Sequence, residues 1–205
     1  MEQRICHIAG AGPFINRGPQ VTPGDLVIAA DGGYAHLLRW GLSADVVVGD
    51  FDSMEQPAHP AIVRLPREKD ETDMAAAVRL GREKGYGLFH LYGGLGGMLD
   101  HTLANLQLLV GMAMAGERGY LWDDQVVVTA FKNDCFELPA GTKGRVSVFA
   151  AGGEARGVFL RGLKYPLADA ILSPGFPLGV SNEADGRKAG IEVRAGTLLV
   201  IYPRP

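Results

Sequence analysis

The sequence predicts two units in tandem. Residues 1–124 read as an α/β unit, a parallel sheet with helices on both faces, and residues 125–205 read as a small all-β sandwich. Three observations carry this. Up to about residue 122, short apolar runs alternate with helix-like segments, the rhythm of a sheet buried on both faces. After residue 124 the helix-like segments stop. From there on, short β-type runs are separated by Gly, Pro, Asn and Asp, the residues that turns require.

Taken in order, residues 5–9, 26–30, 46–48, 62–65, 88–92 and 120–122 are apolar runs of strand length. Between them, residues 35–40, 72–84 and 99–115 are expected to be helices. The most apolar stretch, 103–115, is broken by Asn105 and Gln107 and is shorter than the roughly 20 residues of a membrane span, so a buried helix is expected. In the second part, 126–131, 135–138, 146–149, 158–160, 191–193 and 198–202 are expected strands, and so many short strands suggest a sandwich or barrel.

Composition narrows the function. The chain has 205 residues, 47% hydrophobic and 21% charged, with a net charge of −3. No Lys/Arg run is present, so no nucleic-acid partner is expected. Its two cysteines, Cys6 and Cys135, give neither metal-ligand spacing nor a disulfide framework, so a reducing, cytoplasmic location is expected. The first residues lack a secretion pattern, and no membrane association is expected.

The informative residues are aspartates. Asp31-Gly32-Gly33, Gly49-Asp50-Phe51-Asp52-Ser53, Lys69-Asp70-Glu71-Thr72-Asp73 and Gly93-Gly94-Leu95-Gly96-Gly97-Met98-Leu99-Asp100-His101 each follow an expected strand. In an open α/β sheet, the carboxyl ends of the strands face one way, and ligands bind there. Carboxylates gathered on one rim repel unless a cation is present, and oxygen donors without a Cys/His cluster select Mg²⁺ over Zn²⁺. Mg²⁺ completes its shell with water and substrate phosphates, which makes a phosphate substrate the natural partner. In an extended segment Asp50 and Asp52 would share one face, with Phe51 pointing into the core. Alternatively, Asp50 and Asp52 are solvated turn residues, and Asp70, Thr72 and Asp73 cap a helix. The glycines 93–97 let the backbone approach a ligand, and the bland alternative is a tight turn. His101 reads as a structural hydrogen-bonding residue. No P-loop, no G-x-G-x-x-G fingerprint and no G-x-S-x-G elbow occurs.

In this order and spacing, the four blocks, continued by Asn105, resemble the thiamine pyrophosphokinase family. Gly162-Leu163-Lys164-Tyr165-Pro166-Leu167, Gly179-Val180-Ser181-Asn182-Glu183 and Gly196-Thr197-Leu198-Leu199 resemble that family's thiamine-binding β-domain, so the resemblance covers nearly the whole chain. It implies transfer of a pyrophosphoryl group from ATP to the hydroxyethyl arm of thiamine. Residues 1–124 would hold ATP and Mg²⁺, residues 125–205 would help hold thiamine, and the protein would be a homodimer. Asp50, Asp52 and Asp73 would hold Mg²⁺, with Asp100 either a further ligand or the group orienting the hydroxyl. Asp31 would help order the nucleotide or a second metal, with Gly32 beside it at the nucleotide. Lys69, Asp70, Thr72, Gly94, Gly96, Gly97 and Asn105 would surround the nucleotide. Ser181 and Asn182 would bond the aminopyrimidine, and Tyr165 would stack on a ring. One position departs from the pattern: the family's usual Arg before the Asp-His pair is replaced by Met98, so that either Arg17, Arg67 or Lys69 compensates or the substrate or rate differs from the family norm. Three other readings stay open: a pyrophosphokinase for another heterocycle such as a pterin, a non-catalytic nucleotide- or thiamine-binding homologue, and a metal-dependent phosphohydrolase.

Overall fold

The computed structural model describes residues 4–51, 57–66 and 70–205. The chain forms two compact units, one of residues 1–108 with 121–124 and the other of residues 109–120 with 125–205.

In the first unit, β1 (Cys6–Ala9), β2 (Leu26–Ala30), β3 (Val46–Gly49), β4 (Ile62–Arg64) and β5 (Leu88–Tyr92) pair in parallel in the order β5-β1-β2-β3-β4. All residues of β1, β2 and β3 are buried, as continuous apolar strands covered on both faces must be. β1 lies between β5 and β2, with Ala9 opposite Ala29 on one side and Tyr92 on the other. The chain lays β2, β3 and β4 down on one side of β1, then returns to place β5 on the other. The crevice beyond the carboxyl ends of β1 and β5 is therefore the switch point at which open α/β sheets bind ligands.

The first unit's helices are short and fitted to the strands. α1 (Gly33–Arg39) starts where a Cβ on Gly33 would collide with the Ala9 carbonyl. α2 (Asp73–Glu83) is capped by Thr72, whose Oγ1 accepts from the Ala75 N–H at 3.2 Å. Its Gly81 lies so close to the sheet that a Cβ would come within 2.7 Å of Phe89 and 2.9 Å of Cys6 Sγ.

α3 (Leu99–Met114) and β6 (Arg118–Trp122) are each divided between the two units. The expectation of a buried α3 needs correction. Asn105, Leu109, Met112 and Ala113 are buried, but Leu99, Leu103 and Met114 are 81%, 54% and 54% exposed. Apolar residues occur all round this helix, and in the chain only one face of it is covered.

The second unit is antiparallel. β7 (Val126–Lys132), β9 (Lys143–Arg161), β10 (Leu167–Leu172) and β12 (Gly190–Pro203) pair in the order β10-β9-β12-β7. β8 (Cys135–Glu137) pairs with β12, and β11 (Asn182–Asp185) pairs with β9. The expected short strands 146–149 and 158–160 are one strand, β9, and 191–193 and 198–202 are one strand, β12. The glycines between them do not turn the chain. Gly196 takes φ 112° where the β12–β9 register shifts between Ala195 and Thr197, a bulge within a continuing strand.

Candidate active site

A cleft of about 880 Å³ opens at the β1/β5 switch point. Its walls come from five chain segments: Gly10–Pro13 after β1, Ala30–Asp31 after β2, Asp50 after β3, Thr72–Met74 at the start of α2, and the glycine turn after β5 with Met98, His101 and Asn105. Three carboxylates far apart in sequence, Asp31, Asp50 and Asp73, therefore line one cavity.

Close backbone packing builds this convergence. Gly49 lets the end of β3 close on Asp31, and a Cβ there would sit 3.2 Å from Asp31 Cα. Asp31 itself takes φ 47° and is buried. The backbone N–H groups of Gly10 and Gly12 donate to the Tyr92 and Gly93 carbonyls at 2.8 and 2.9 Å, joining the β1 and β5 loops. α3 pins the glycine turn from behind: Asn105 Nδ2 donates to the Gly94 carbonyl at 2.9 Å, and Thr102 Oγ1 donates to the Gly96 carbonyl at 3.1 Å. Gly96 and Gly97 take φ 73° and 67° in the turn so formed. On α1, His36 packs edge-on against Phe14, and burial together with Arg39 holds its pKa below the ordinary value, so it is neutral at pH 7.

Of the residues expected around the nucleotide, Asp31, Thr72, Gly94, Gly96, Gly97 and Asn105 line the cleft. Gly32 is the N-cap of α1, against Ala11. Asp70 is exposed ahead of α2, outside the lining. Asp100 is exposed in the first turn of α3, its Oδ1 accepting from the His101 N–H at 2.8 Å, and it too is outside the lining. Asp52, Ser53, Arg67 and Lys69 lie outside the described residues. The extended geometry expected at Asp50-Phe51 is not adopted. Phe51 takes φ 56°, which turns the chain at the strand end while the ring still joins the core cluster with Val27, Leu37 and Val47. In the second unit, Asn182 is buried and uses both ends of its amide on Tyr165: Oδ1 accepts from the Tyr165 N–H at 2.9 Å, and Nδ2 donates to the Tyr165 carbonyl at 2.7 Å. Ser181, at φ 58°, donates its N–H to Ser147 Oγ, and the Tyr165 side chain is exposed.

Sequence reasoning missed the Gly10-Ala11-Gly12-Pro13 wall because it carries no acid. Its signal was present all the same, as two glycines and a proline directly after the first strand.

The donor set suits a hard cation: carboxylate oxygens, with no thiol among the lining residues. Among the described residues, no three His, Cys, Asp or Glu side chains are grouped closely enough to hold a metal by themselves. Mg²⁺ does not need such a cage, since one or two carboxylates and substrate phosphates suffice. Among the described residues, no helix is long and apolar enough to cross a membrane.

A parallel α/β unit with an acid- and glycine-lined cleft at its switch point, followed by an antiparallel β unit, defines a two-part class of ligand-binding proteins. Residues 21–120 match the family model described as thiamin pyrophosphokinase, catalytic domain, and residues 136–198 match the model described as thiamin pyrophosphokinase, vitamin B1 binding domain. The chain belongs to the thiamin pyrophosphokinase family, a kinase family. Thiamine pyrophosphokinase of Bacillus subtilis (strain 168) is 29% identical over 184 residues, 86% of each chain. The crystal structure of a Bacillus subtilis thiamine pyrophosphokinase superposes with a TM-score of 0.87 at 25% identity, covering 98% of this chain and 100% of that one. The thiamin pyrophosphokinase of Geobacillus thermodenitrificans superposes with a TM-score of 0.82 at 29% identity, covering 98% of each.

Proposed function

We propose that the protein is a thiamine pyrophosphokinase that moves the terminal pyrophosphoryl group of ATP onto the hydroxyl of thiamine, giving thiamine diphosphate and AMP. The observation that carries this reading is the gathering of Asp31, Asp50 and Asp73 with two glycine loops at the β1/β5 switch point, in a chain of this family. The thiamine oxygen forms a bond to the β-phosphorus. The bond from that phosphorus to the α,β-bridging oxygen breaks, AMP leaves with that oxygen, and the hydroxyl proton is lost. Such a reaction asks the protein for in-line placement and charge neutralisation more than for covalent chemistry.

Backbone N–H groups of Gly94–Gly97 would cradle phosphate oxygens, because the glycines there let a ligand come close; the Gly10–Gly12 loop, whose Gly10 and Gly12 N–H groups are given to the Tyr92 and Gly93 carbonyls, would serve as the facing wall. Asp50 and Asp73 would hold Mg²⁺, with Asp52 and Asp100 as further members of the set. Mg²⁺, when bound, neutralises charge on the phosphate oxygens. Asp31 would order the nucleotide or a second ion. Thr72 caps α2 through its bond from the Ala75 N–H, and the start of that helix would favour the negative charge of the phosphates. Ser181, Asn182 and Tyr165 would receive thiamine, Asn182 by fixing the Tyr165 backbone. A homodimer is supported by the exposed Leu99 and Leu103 of α3.

The test is incubation of the protein with ATP, Mg²⁺ and thiamine, and with each left out, reading AMP and thiamine diphosphate. Both products are expected only when all three are present. AMP or inorganic phosphate released without thiamine would make it a phosphohydrolase. Products formed with a hydroxymethyl pterin in place of thiamine would move the acceptor. Binding of ATP without AMP would make it a non-catalytic homologue.

A further inference from the structure

Resting on the nucleotide reading of the cleft, we infer that Asn16 and Asp124 form a latch that holds the loop after β1 as a wall of the ATP site. Both are positioning residues. The segment from Gly10 to Arg17 contains no helix or strand, yet its first residues line the cleft. A segment with no internal ladder keeps one conformation only where outside groups hold it against its conformational entropy.

Three elements supply those groups. The end of β5 supplies Gly93, whose carbonyl accepts from the Gly12 N–H at 2.9 Å. The C-cap of α1, Trp40, donates its Nε1–H to the Ile15 carbonyl at 2.9 Å. The chain just beyond β6 supplies Asp124, whose Oδ1 accepts from the Asn16 backbone N–H at 2.8 Å and whose Oδ2 accepts from Asn16 Nδ2 at 2.6 Å. The Arg17 N–H also approaches Oδ1, at 3.4 Å.

The Asp124 tie differs from the other two. It uses both oxygens of a charged carboxylate on one residue, which fixes orientation as well as distance, and charge-assisted bonds are the stronger kind. It also closes the far end of the segment, 108 residues away in sequence. Between the latch and the β5 tie stands Pro13, whose ring lies 3.3 to 3.4 Å from where Cβ atoms on Gly97 and Gly96 would be. Releasing the latch frees Pro13 to move against the glycine turn, so the width of the cleft between the two loops depends on it. Neither Asn16 nor Asp124 lines the cleft, so both would act through the loop they hold.

The test uses the full chain, with Mg–ATP binding followed by calorimetry, AMP formation at saturating thiamine, and the thermal midpoint of each variant. Asn16→Asp sets a second carboxylate against Asp124. ATP binding is expected to weaken about tenfold, the loss of one good charge-assisted interaction, with KM for ATP raised in step and kcat changed less than about twofold. Adding Asp124→Asn reverses the pair, so that an amide again faces a carboxylate and the backbone N–H again meets an oxygen. Affinity is expected to return to within about threefold of the wild type, a recovery that general damage to the fold does not give. If Asn16→Asp does not fold, Asn16→Ala, which removes only the side-chain bond, is expected to weaken ATP binding about threefold. Wild-type affinity in the folded single variants, or a folded double variant no better than Asn16→Asp, overturns the latch. A wild-type protein that binds no Mg–ATP overturns the nucleotide reading instead.

Discussion

Met98 is 62% exposed on the wall of the acidic cleft, at the position where the family resemblance implies Arg. Among the described residues, no Lys or Arg lines that cleft. Arg17, one of the residues expected to compensate, is turned to Asp124, its Nη2 donating to the Asp124 carbonyl at 3.5 Å. The described wall thus opposes a polyphosphate with carboxylates and supplies no cation of its own. Met98→Arg is expected to lower KM for ATP about tenfold, since a charge-assisted bond contributes roughly 1.5–3 kcal/mol and the exposed position leaves the new side chain free to reach. Steady-state AMP release against ATP concentration measures it, and an unchanged or higher KM would show that a cation outside the described residues already fills the role. At this scale the sequence was most legible where a residue's chemistry is unusual for its place. Asp31 and Asp50 stand out because acids directly after buried strands need a reason, and Asp73 because capping alone does not require Asp70, Thr72 and Asp73 together. Gly10, Gly12 and Pro13 form an equal part of the wall but resemble any turn, and only the order of the strands shows that they face Gly93. Asn182 shows the converse: its side chain is legible as polar and unusual, but only coordinates show that both ends of its amide are used on the Tyr165 backbone.

Regular elements were legible in proportion to how far local pattern fixes them. The first five strands and three helices fall within a few residues of expectation, because continuous apolar runs and capping residues such as Thr72 are local signals. The long strands β9 and β12 were not, because a glycine that bends a strand through a bulge and one that ends it look alike in sequence. Exposure on α3 was not legible either, since a helix apolar all round does not say which face meets a neighbour. The covered face of α3 nevertheless has a specific duty. Asn105 is only 7% exposed and gives its Nδ2 to the Gly94 carbonyl, so the helix holds the glycine turn through one buried bond. Asn105→Ala removes the donor and leaves the carbonyl without it in a buried place, which costs about 1–3 kcal/mol. Urea unfolding is expected to show that loss. Mg–ATP affinity is expected to fall with it, because the turn that would cradle the phosphates loosens. A variant as stable as the wild type would mean that the turn holds itself.

The first unit as a whole carries a buried polar network that ties its stability to pH. His7 is 2% exposed on β1 and meets Asp25 Oδ2 at 3.4 Å through Nε2, with the His90 ring edge-on at 5.4 Å. Asp25 also accepts from the Ile5 N–H, the Thr22 N–H and the Thr22 hydroxyl at 2.8, 2.8 and 2.9 Å. Burial pushes the His90 pKa down to about 3, helped by its neighbour His7. Burial also lowers that of His7, against the opposing pull of Asp25. Burial alone would raise the Asp25 pKa, but the bonds from Ile5, Thr22 and His7 outweigh it and hold the carboxyl below the ordinary value. The signs agree. Below the ordinary histidine pKa of about 6.5, the unfolded chain takes up protons that folded His7 and His90 refuse, so stability falls as pH falls. Asp25 adds to the loss further down, since its contribution is present above the unfolded carboxylate pKa and disappears as pH drops through the lowered folded one. For His90 the window runs from its ordinary 6.5 down to about 3, and the slope reaches at most about 1.4 kcal/mol per pH unit, one proton's worth. His90→Phe keeps a ring against Trp122, 5.2 Å away, while removing the proton site. Unfolding free energies from urea titrations between pH 7 and pH 4 are expected to fall more gently for His90→Phe than for the wild type, by up to about 1.4 kcal/mol per pH unit, and the curves should run parallel above pH 7. Parallel curves throughout would place the origin of any acid lability elsewhere, with His7 and Asp25 the next pair to separate.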